Sequence, residues 1–364
     1  MLYKRMAGRF GLTLAALVIV VLPACSADDE TTTESQAAPA TEEPAAPDDE
    51  VPADADASDD EGPADADGSD DAAGGDRQTG DGATRTVDHA LGTSEVPVEP
   101  RRIVSLDSIQ TLDSIVALGA EDRLVGRINL SGSDDPFWLD VDIDAVPLLG
   151  TWPNLSIEEI LAADPDLVVG YQNAAEALGP AAGDAVPVVA VAPTAGVTNP
   201  RWQDVLRGVG AAIDEAAAAD ALIADYDARL DEVVAGLPDD FAGRNVLVLL
   251  GQGGVTGFAM GPSATPAEVF DRVGLEVSPS LDGQGDFVQL SEEIVPDLPA
   301  DVALMLDFDG GATDWNAVLA DQPAYAANPA IGDGVVVVDG SLWLNAGPLG
   351  QLLLLDELVE VLAP

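Results

Sequence analysis

Very few side chains in this sequence could do covalent or metal chemistry. The 364 residues include one cysteine, Cys25, and one histidine, His89. A single cysteine excludes a disulfide framework and a Cys-rich zinc or iron–sulfur site, and a single histidine excludes a multi-His metal cage. A Ser–His–Asp triad would have to use His89, and the chain has no Gly-x-Ser-x-Gly nucleophile motif. We therefore predict no catalytic residue and no resident metal ion, and we do not expect an enzyme.

The net charge of the chain limits the classes of molecule that it could bind. It carries 66 acidic and 14 basic side chains, a formal net charge of −52 at pH 7. Lys4 is the only lysine, so no Walker A nucleotide loop, which ends in Gly-Lys-Ser/Thr, is present. Binding to phosphate backbones or anionic lipids needs Lys and Arg that release counterions, so the charge argues against a nucleic-acid partner.

The first 25 residues have the pattern of an export signal. Three basic residues precede an apolar run from Phe10 to Val21 that is too short to span a bilayer. Leu22-Pro23-Ala24-Cys25 then resembles the lipobox of bacterial lipoproteins, in which the cysteine is lipidated. We predict a signal peptide over residues 1–24 and a lipid anchor on Cys25, the only covalent group expected. This would place the protein on the extracytoplasmic face of the cell membrane, or in the periplasm of a Gram-negative cell. The alternative is a plain secretory signal with an incidental cysteine.

Residues 25–83 have the composition of a linker. After Cys25 they are almost entirely Ala, Asp, Glu, Pro, Gly, Ser and Thr, with no aromatic residue. Such a segment cannot bury enough apolar surface to offset chain entropy, so we predict a disordered acidic linker. As a flexible coil it would span about 40–45 Å and would hold the remainder of the chain away from the membrane. An acidic interaction tail is the alternative.

From Thr84 onward, short apolar runs alternate with helical patterns. The runs include Ile103–Leu106 and Leu167–Val169 in the first half, and Val246–Leu250 and Val302–Leu306 in the second. Apolar strands separated by helices indicate parallel sheets that are covered on both faces. We predict an α/β fold of two Rossmann-like sandwich lobes, over residues 84–200 and 238–364, with a ligand cleft between them.

One long α-helix is expected to join the lobes over residues 201–237. It begins after Asn199-Pro200, a cap followed by a first-turn proline, and stops at Gly236. Gly208, Gly210 and Asp214 indicate a break near residues 211–214.

A short internal repeat supports duplicated lobes. Glu158-Glu159-Ile160-Leu161 leads to Pro165, and Glu292-Glu293-Ile294-Val295 leads to Pro299. The glutamate pair and the proline are both offset by 134 residues, and a one-residue slip follows the proline.

Several further motifs occur in order along the chain: Arg85–Gly92, Pro100–Val104, Leu118–Gly126, Pro165–Val168, the connecting helix, and the strand Val335–Asp339 followed by Trp343. At these residues the chain resembles the iron-siderophore and vitamin B12 class of bacterial ABC-importer substrate-binding proteins, the class III periplasmic binding proteins. The similarity covers nearly all of residues 84–364. The resemblance implies two lobes joined by a helix, a ligand between them, and partners in an ABC permease and its ATPase. We expect a monomer.

The resemblance also implies one glutamate on each lobe that docks into arginine pockets of the permease. The matching positions are Glu158 and Glu292, and each carboxylate could bind an arginine through both oxygens. If the preceding serines set the alignment, Glu293 replaces Glu292. The alternative is helix capping, because Ser156 with Glu159 fits the Ser-x-x-Glu capping box.

Residues that contact the ligand are expected where strands end and loops begin. Large planar side chains there would give a bulky chelate a wide contact area at low entropic cost. The candidates are Ser108, Arg127, Trp152, Asn154, Tyr171, Arg201, Gln252, Phe258, Met260, Phe308 and Trp343.

The scarcity of basic residues favours one class of ligand. Arg127 and Arg201 are the only arginines expected near the cleft, so a strongly anionic catecholate chelate would meet a repulsive field. We predict an Fe(III)-siderophore chelate of the hydroxamate type, neutral or cationic. Vitamin B12 or haem binding by the same fold is the alternative, and haem would need Tyr171 or Tyr325 as an iron ligand. A lipid-anchored surface enzyme and a passive structural lipoprotein are less favoured.

Docking glutamates do not account for the charge of the lobes. Residues 96–364 carry 44 acids and 9 arginines, a net charge of −35. We hypothesise a saline habitat, in which carboxylates keep the surface hydrated and salt screens their repulsion.

Overall fold

The structure is a computed structural model that describes residues 83–130, 135–182, 185–194, 200–238, 241–264 and 266–362. The predicted signal peptide, Cys25 and almost all of the acidic linker lie outside the described residues. In the part that is described, no helix has the length and apolar character needed to cross a membrane.

A two-stranded hairpin precedes the first large sheet. Strand β1 (Thr84–His89) pairs antiparallel with β2 (Gly92–Pro97). Val87 and Val96 are buried in the core beside that sheet, and the guanidinium of Arg85 donates to the carbonyl oxygen of Ala212 at 2.8 Å. The hairpin is therefore fixed to the first lobe.

The first lobe is built on a six-stranded sheet with the order β6-β5-β4-β3-β7-β8. Neighbouring strands are parallel except for β5 and β6. Along β7 alternate residues enter two different cores, Leu167 and Val169 on one face and Val168 on the other. Both faces are covered, as the apolar runs predict. The elements are β3 (Ile103–Ser105), α1 (Gln110–Ala117), β4 (Leu124–Leu130), β5 (Leu148–Trp152), β6 (Asn154–Leu155), α2 (Ile157–Ala162), β7 (Leu167–Tyr171), α3 (Gln172–Ala182) and β8 (Val188–Ala192).

Two consecutive helices make the connection, α4 (Trp202–Ile213) and α5 (Ala216–Gly236). The break falls at Asp214, which has a left-handed backbone with φ of 68°. Most buried residues of α4 join the first-lobe core, and those of α5 join the second-lobe core. The lobes are thus joined by a helical connection with a bend, and each helix packs mainly on a different lobe.

The second lobe has a mixed sheet with the order β12-β10-β9-β13-β14, and β11 adds to β9. Strands β9, β11, β13 and β14 are parallel, whereas β10 runs antiparallel to β9 and β12. The two-lobed α/β fold is confirmed, and β6 of the first lobe and β10 of the second depart from purely parallel sheets. The elements are β9 (Asn245–Gln252), β10 (Val255–Met260), α6 (Ala267–Arg272), β11 (Glu276–Val277), β12 (Phe287–Gln289), β13 (Val302–Asp307), α7 (Trp315–Ala320), α8 (Pro323–Ala326), α9 (Pro329–Gly332), β14 (Val336–Asp339), α10 (Gly340–Asn345) and α11 (Pro348–Leu362).

Both sheets contain the same pair of hydrogen bonds between an aspartate and the neighbouring strand, which we call the strand lock. Asp166, just before β7, accepts the N–H of Arg102 in its carboxylate and donates its own N–H to the Arg102 carbonyl. Asp301, just before β13, exchanges the same two bonds with Asn245. These aspartates are 135 residues apart, so the structural repeat has an offset one residue larger than that of the glutamate pair.

Candidate ligand cleft

The segments that follow the strand carboxyl ends of the two lobes meet. Helix α1 follows β3 in the first lobe, and α11 follows β14 and α10 in the second. The carboxylate of Asp113 in α1 accepts the backbone N–H of Leu349 at 2.9 Å and of Gly350 at 3.2 Å in the first turn of α11. Since ligands of open α/β sheets bind at strand carboxyl ends, this apposition defines the candidate cleft.

Tyr171 ends β7 on the first-lobe side of this cleft. Its hydroxyl donates to the side-chain oxygen of Gln110 at 3.0 Å, and Gln110 is itself buried. Burial, together with the negative charge of Asp107, raises the pKa of the Tyr171 hydroxyl well above its usual value. Tyr171 is therefore a protonated phenol that donates a hydrogen bond, and the sequence placed it correctly at a strand end.

Ser108 and Arg127 are both buried, so neither has an open face toward a ligand. The Ser108 hydroxyl donates to the side-chain oxygen of Asn129 at 2.7 Å. The two terminal nitrogens of Arg127, a residue only 4% exposed, bind the carboxylate of Asp135 at 2.6 and 3.0 Å. Arg127 therefore holds the segment after β4 in place, and its guanidinium is not open to a ligand in this structure.

Arg201 lies beside a pocket at the junction of the lobes. Its guanidinium binds Glu268 of α6 at 2.9 Å, so its charge is already paired. The rings of Trp202 and Tyr226 meet edge to face in the wall, 4.8 Å between centroids. The pocket is partly open to solvent, and its other lining residues include Gln110, Gln203, Leu344 and Gln351.

The β9–β10 hairpin carries two of the expected contacts, Gln252 and Phe258, and both are exposed. Its turn is Gly253-Gly254, with positive φ values of 63° and 70° that favour glycine. The carboxylate of Asp309, after β13, accepts both turn N–H groups, at 2.5 and 2.9 Å. Burial acts to raise the pKa of Asp309, but these bonds and one from the Thr313 hydroxyl lower it below the usual value. The sequence prediction missed Asp309, whose only signal is its position after a strand.

Two second-lobe candidates lie in the core rather than at the cleft. Met260 is 1% exposed. It is the last residue of β10, and because β10 runs antiparallel to β9, Met260 lies far from the carboxyl end of β9. Trp343 is 2% exposed and donates its indole N–H to Glu357 at 2.9 Å. Phe308 is partly buried and packs against Gly340, where an added Cβ would lie 2.7 Å from the ring. Met260 and Trp343 are therefore not accessible to a ligand in the cleft.

The remaining first-lobe candidates sit on the β5–β6 hairpin. Trp152, which precedes a cis proline, packs partly buried on the first-lobe core. Asn154 is exposed. Trp152 is thus chiefly a packing residue, whereas Asn154 is free to make surface contacts.

Acidic side chains are frequent where the strands end. Asp107 follows β3 and accepts the N–H groups of Ile109 and Thr111, and burial raises its pKa. Asp307 ends β13 and accepts the indole N–H of Trp315 at 2.8 Å. Asp339 ends β14, and burial raises its pKa as well. Despite this density of acids, the described residues contain no group of three or more His, Cys, Asp or Glu that could hold a metal ion.

The glutamates considered for docking are exposed on both lobes. Glu158 lies in the first turn of α2, and the Ser156 side chain makes no capping bond, so the expected capping box with Glu159 does not form. Glu292 lies in a turn rather than at a helix start. The fully buried residues that follow, Ile160 and Val295, are 135 residues apart, as in the strand lock. This alignment pairs Glu158 with Glu293.

Comparison with known proteins agrees with this architecture. A family model described as periplasmic binding protein matches residues 103–341. No curated protein matches the sequence. The SirA protein of Staphylococcus aureus, solved with staphyloferrin B, is 24% identical with a TM-score of 0.62, over 77% of this chain and 98% of that one.

Two further solved structures have the same fold. The ABC-type Fe³⁺-hydroxamate transport protein of Saccharomonospora viridis is 23% identical with a TM-score of 0.57, over 77% of this chain and 99% of its own. The periplasmic haem-binding protein HutB of Vibrio cholerae is 22% identical with a TM-score of 0.57, over 72% of this chain and 99% of its own. The family match covers well over half of the residues, and the chain belongs to the periplasmic binding protein family.

Proposed function

We propose that this protein captures a ferric siderophore outside the cytoplasmic membrane and delivers it to the permease of an ABC importer. The observation that carries the proposal is the apposition of the strand carboxyl ends of two lobes in a chain of this family. The similar structures are named for staphyloferrin B, Fe³⁺-hydroxamate and haem, which supports an iron chelate as the ligand. The role is binding and delivery, with no catalytic step.

The electrostatics of the cleft favour a hydroxamate chelate. The guanidinium groups of Arg127 and Arg201 are each bound to a carboxylate, and Asp107, Asp309 and Asp339 add acidic groups at strand carboxyl ends. Ferric catecholates are strongly anionic, so such a site would repel them, whereas ferric trihydroxamates are neutral or cationic. The ligand is therefore a ferric hydroxamate.

Haem is less favoured because the tyrosines are not poised to bind iron. Binding as a phenolate requires loss of the hydroxyl proton, and burial raises the pKa of both Tyr171 and Tyr325. Tyr325 is 3% exposed in the second-lobe core. The single histidine, His89, accepts backbone hydrogen bonds on Nδ1.

The chain is tethered by lipid on Cys25, with residues 26–83 as the spacer. The sequence pattern at residues 22–25 supports this part of the proposal. Globomycin, an inhibitor of lipoprotein signal peptidase, should leave an uncleaved precursor, and Cys25→Ser should abolish the incorporation of radiolabelled palmitate. Palmitate labelling of Cys25→Ser at the level of the unmodified chain would contradict the anchor.

Docking to the permease uses Glu158 and, on the second lobe, Glu293 or Glu292. The structural offset of 135 residues favours Glu293, whereas the sequence offset of 134 favours Glu292. Charge reversal replaces an attraction to arginine by a repulsion, so Glu158→Arg with Glu293→Arg should abolish uptake and preserve chelate binding. Glu158→Arg with Glu292→Arg is the matched comparison. Unchanged uptake in both double variants would contradict this docking mode.

The binding proposal is tested by titrating intrinsic tryptophan fluorescence of the full chain. The panel is ferrioxamine B as the ferric hydroxamate, ferric enterobactin as the catecholate, cobalamin and haem. We expect saturable quenching at micromolar or lower ferrioxamine B, and weaker or no response to the catecholate. Preference for haem or cobalamin would select the alternative ligand, and silence across the panel would refute the receptor proposal.

A further inference from the structure

Asp113 is a buried acidic side chain whose contact with α11 marks the lobe boundary, and the proposed binding and delivery give its carboxyl group no role of its own. It lies on α1 of the first lobe and is 0% exposed. Its carboxylate accepts the N–H groups of Leu349 and Gly350 from α11 of the second lobe. It also accepts the indole N–H of Trp138 at 2.7 Å. One carboxyl group thus joins α1 and the segment of Trp138 to α11 across the lobe boundary.

Asp113 is tightly packed where it meets the start of α11 and Trp138. A Cβ added to Gly347 would lie 2.7 Å from the Cβ of Asp113, and one added to Gly350 would lie 2.8 Å from Nε1 of Trp138. No salt bridge in the described part of the chain includes Asp113. A buried carboxylate with donors but no cation is costly in its ionised form. The N-terminus of α11 offsets only part of that cost.

We propose that Asp113 is a proton-sensitive joint between the two lobes, tighter when its carboxyl group is protonated and looser when it is ionised. The direction follows from hydration. Opening the joint exposes Asp113 to water, which favours the ionised form, whereas the closed joint favours the neutral form. At neutral pH the charged carboxylate leaves the lobes freer to move than in mild acid.

The pKa of Asp113 agrees with this direction. Burial raises it to about 6, against hydrogen bonds from Leu349, Trp138, Gly350 and Gly347, and no neighbouring charge contributes. The other acidic groups on these elements have partners of their own or do not affect Asp113. Asp107 binds the start of α1, Asp135 binds Arg127, Asp356 binds Arg229, and Glu357 accepts from Trp343. Asp140 and Glu360 do not contribute to the raised pKa of Asp113.

Protonation of Asp113 and closure of the joint favour each other. The closed joint binds the proton more tightly than the open one, whose carboxyl group has the ordinary pKa of about 3.9. Opening should therefore become about tenfold more frequent between pH 5 and pH 7.5. Closure is favoured as pH falls through about 6.

Hydrogen–deuterium exchange of the full chain tests this without any chelate, so its outcome is independent of the proposed function. The readout is the protection of backbone N–H groups in peptides that span residues 347–352, corrected for intrinsic exchange at each pH. We expect about tenfold lower protection at pH 7.5 than at pH 5 in the unmodified chain. Asp113→Asn, which cannot ionise, should abolish this difference, and Asp122→Asn on the exposed surface should keep it.

A second variant keeps the test decisive if Asp113→Asn does not fold. Trp138→Phe removes one donor to the carboxylate, so it should raise the pKa of Asp113 further and widen the difference in protection between the two pH values. Equal protection at both pH values in the unmodified chain would overturn the proposal, as would greater protection at pH 7.5. A pH dependence left intact by Asp113→Asn, or unaltered by Trp138→Phe, would also overturn it.

Discussion

The guanidinium of Arg127 is bound by both carboxylate oxygens of Asp135, and the Arg127 side chain is only 5% exposed. Removing one partner of such a pair leaves a buried charge without compensation. Asp135→Ala should therefore lower the free energy of unfolding by about 2 kcal/mol, since Asp135 itself is partly solvated. Urea unfolding followed by circular dichroism measures the loss.

Two further variants separate the ion pair from general disturbance of this segment. Arg127→Leu with Asp135→Leu removes both charges and should cost less than Asp135→Ala alone. Asp140→Ala, an exposed neighbour, should change the free energy of unfolding by less than about 0.5 kcal/mol. A double variant that is less stable than Asp135→Ala would show that the pair itself is stabilising.

His89 should make the first hairpin sensitive to acid. Its Nδ1 accepts the N–H groups of Leu91 and Ala190, so Nε2 carries the proton toward the Ser94 hydroxyl, 2.9 Å away. Burial lowers the pKa of His89 below 6.5, although the nearby charge of Asp88 opposes this. The unfolded chain then binds the proton more tightly, so the stabilisation is present above pH 6.5 and is lost as pH falls through the folded-state pKa.

His89→Gln isolates this contribution, because Gln cannot titrate in that range. Between pH 8 and pH 5 the melting temperature of the unmodified chain should fall more than that of His89→Gln. Parallel melting curves for the two proteins would show that His89 protonation is not coupled to folding.

Asp309 should determine how well the β9–β10 hairpin is ordered. Asp309→Ala removes the acceptor of the Gly253 and Gly254 N–H groups and should cost about 1–2 kcal/mol of unfolding free energy. It should also weaken ferrioxamine B binding several-fold, because the exposed Phe258 of this hairpin is a proposed ligand contact. Asp282→Ala, an exposed acid of the same lobe, is the control. Full affinity in Asp309→Ala would exclude the hairpin from the binding surface.

The acidic surface predicts stabilisation by salt. The chain has 66 acidic residues against 14 basic ones, and molar salt screens their mutual repulsion within a few ångströms. The melting temperature should rise from 0.1 to 2 M NaCl and should rise less in sucrose, which does not screen charge. A flat or falling melting temperature in NaCl would contradict the saline-habitat hypothesis.

The fold could be predicted from the sequence because the central strands are apolar on both faces. Leu167–Val169 and Val302–Leu306 could be recognised as buried strands without knowledge of their partners. Met260 was misplaced because it was expected in the loop after a strand, whereas residues 255–260 form the antiparallel strand β10. Strand direction depends on pairing, which the local pattern does not encode.

Individual acids were harder to predict than strands. Asp113 contacts a helix 236 residues later in the chain, and nothing in its own neighbourhood distinguishes it from the other acids. Arg127 was a candidate ligand contact, but its partner Asp135 has no feature in the sequence that distinguishes it from a surface aspartate. In so acidic a chain, a functional carboxylate can be recognised only from its tertiary contacts.

The central claim, that a ferric hydroxamate binds between the two lobes, is tested most directly by hydrogen–deuterium exchange of the full chain with and without ferrioxamine B. We expect slower exchange in the first lobe near Tyr171 and, at the same ligand concentration, in residues 252–258 of the second lobe. Protection confined to one lobe, or no change in either lobe at saturating ferrioxamine B, would contradict the account.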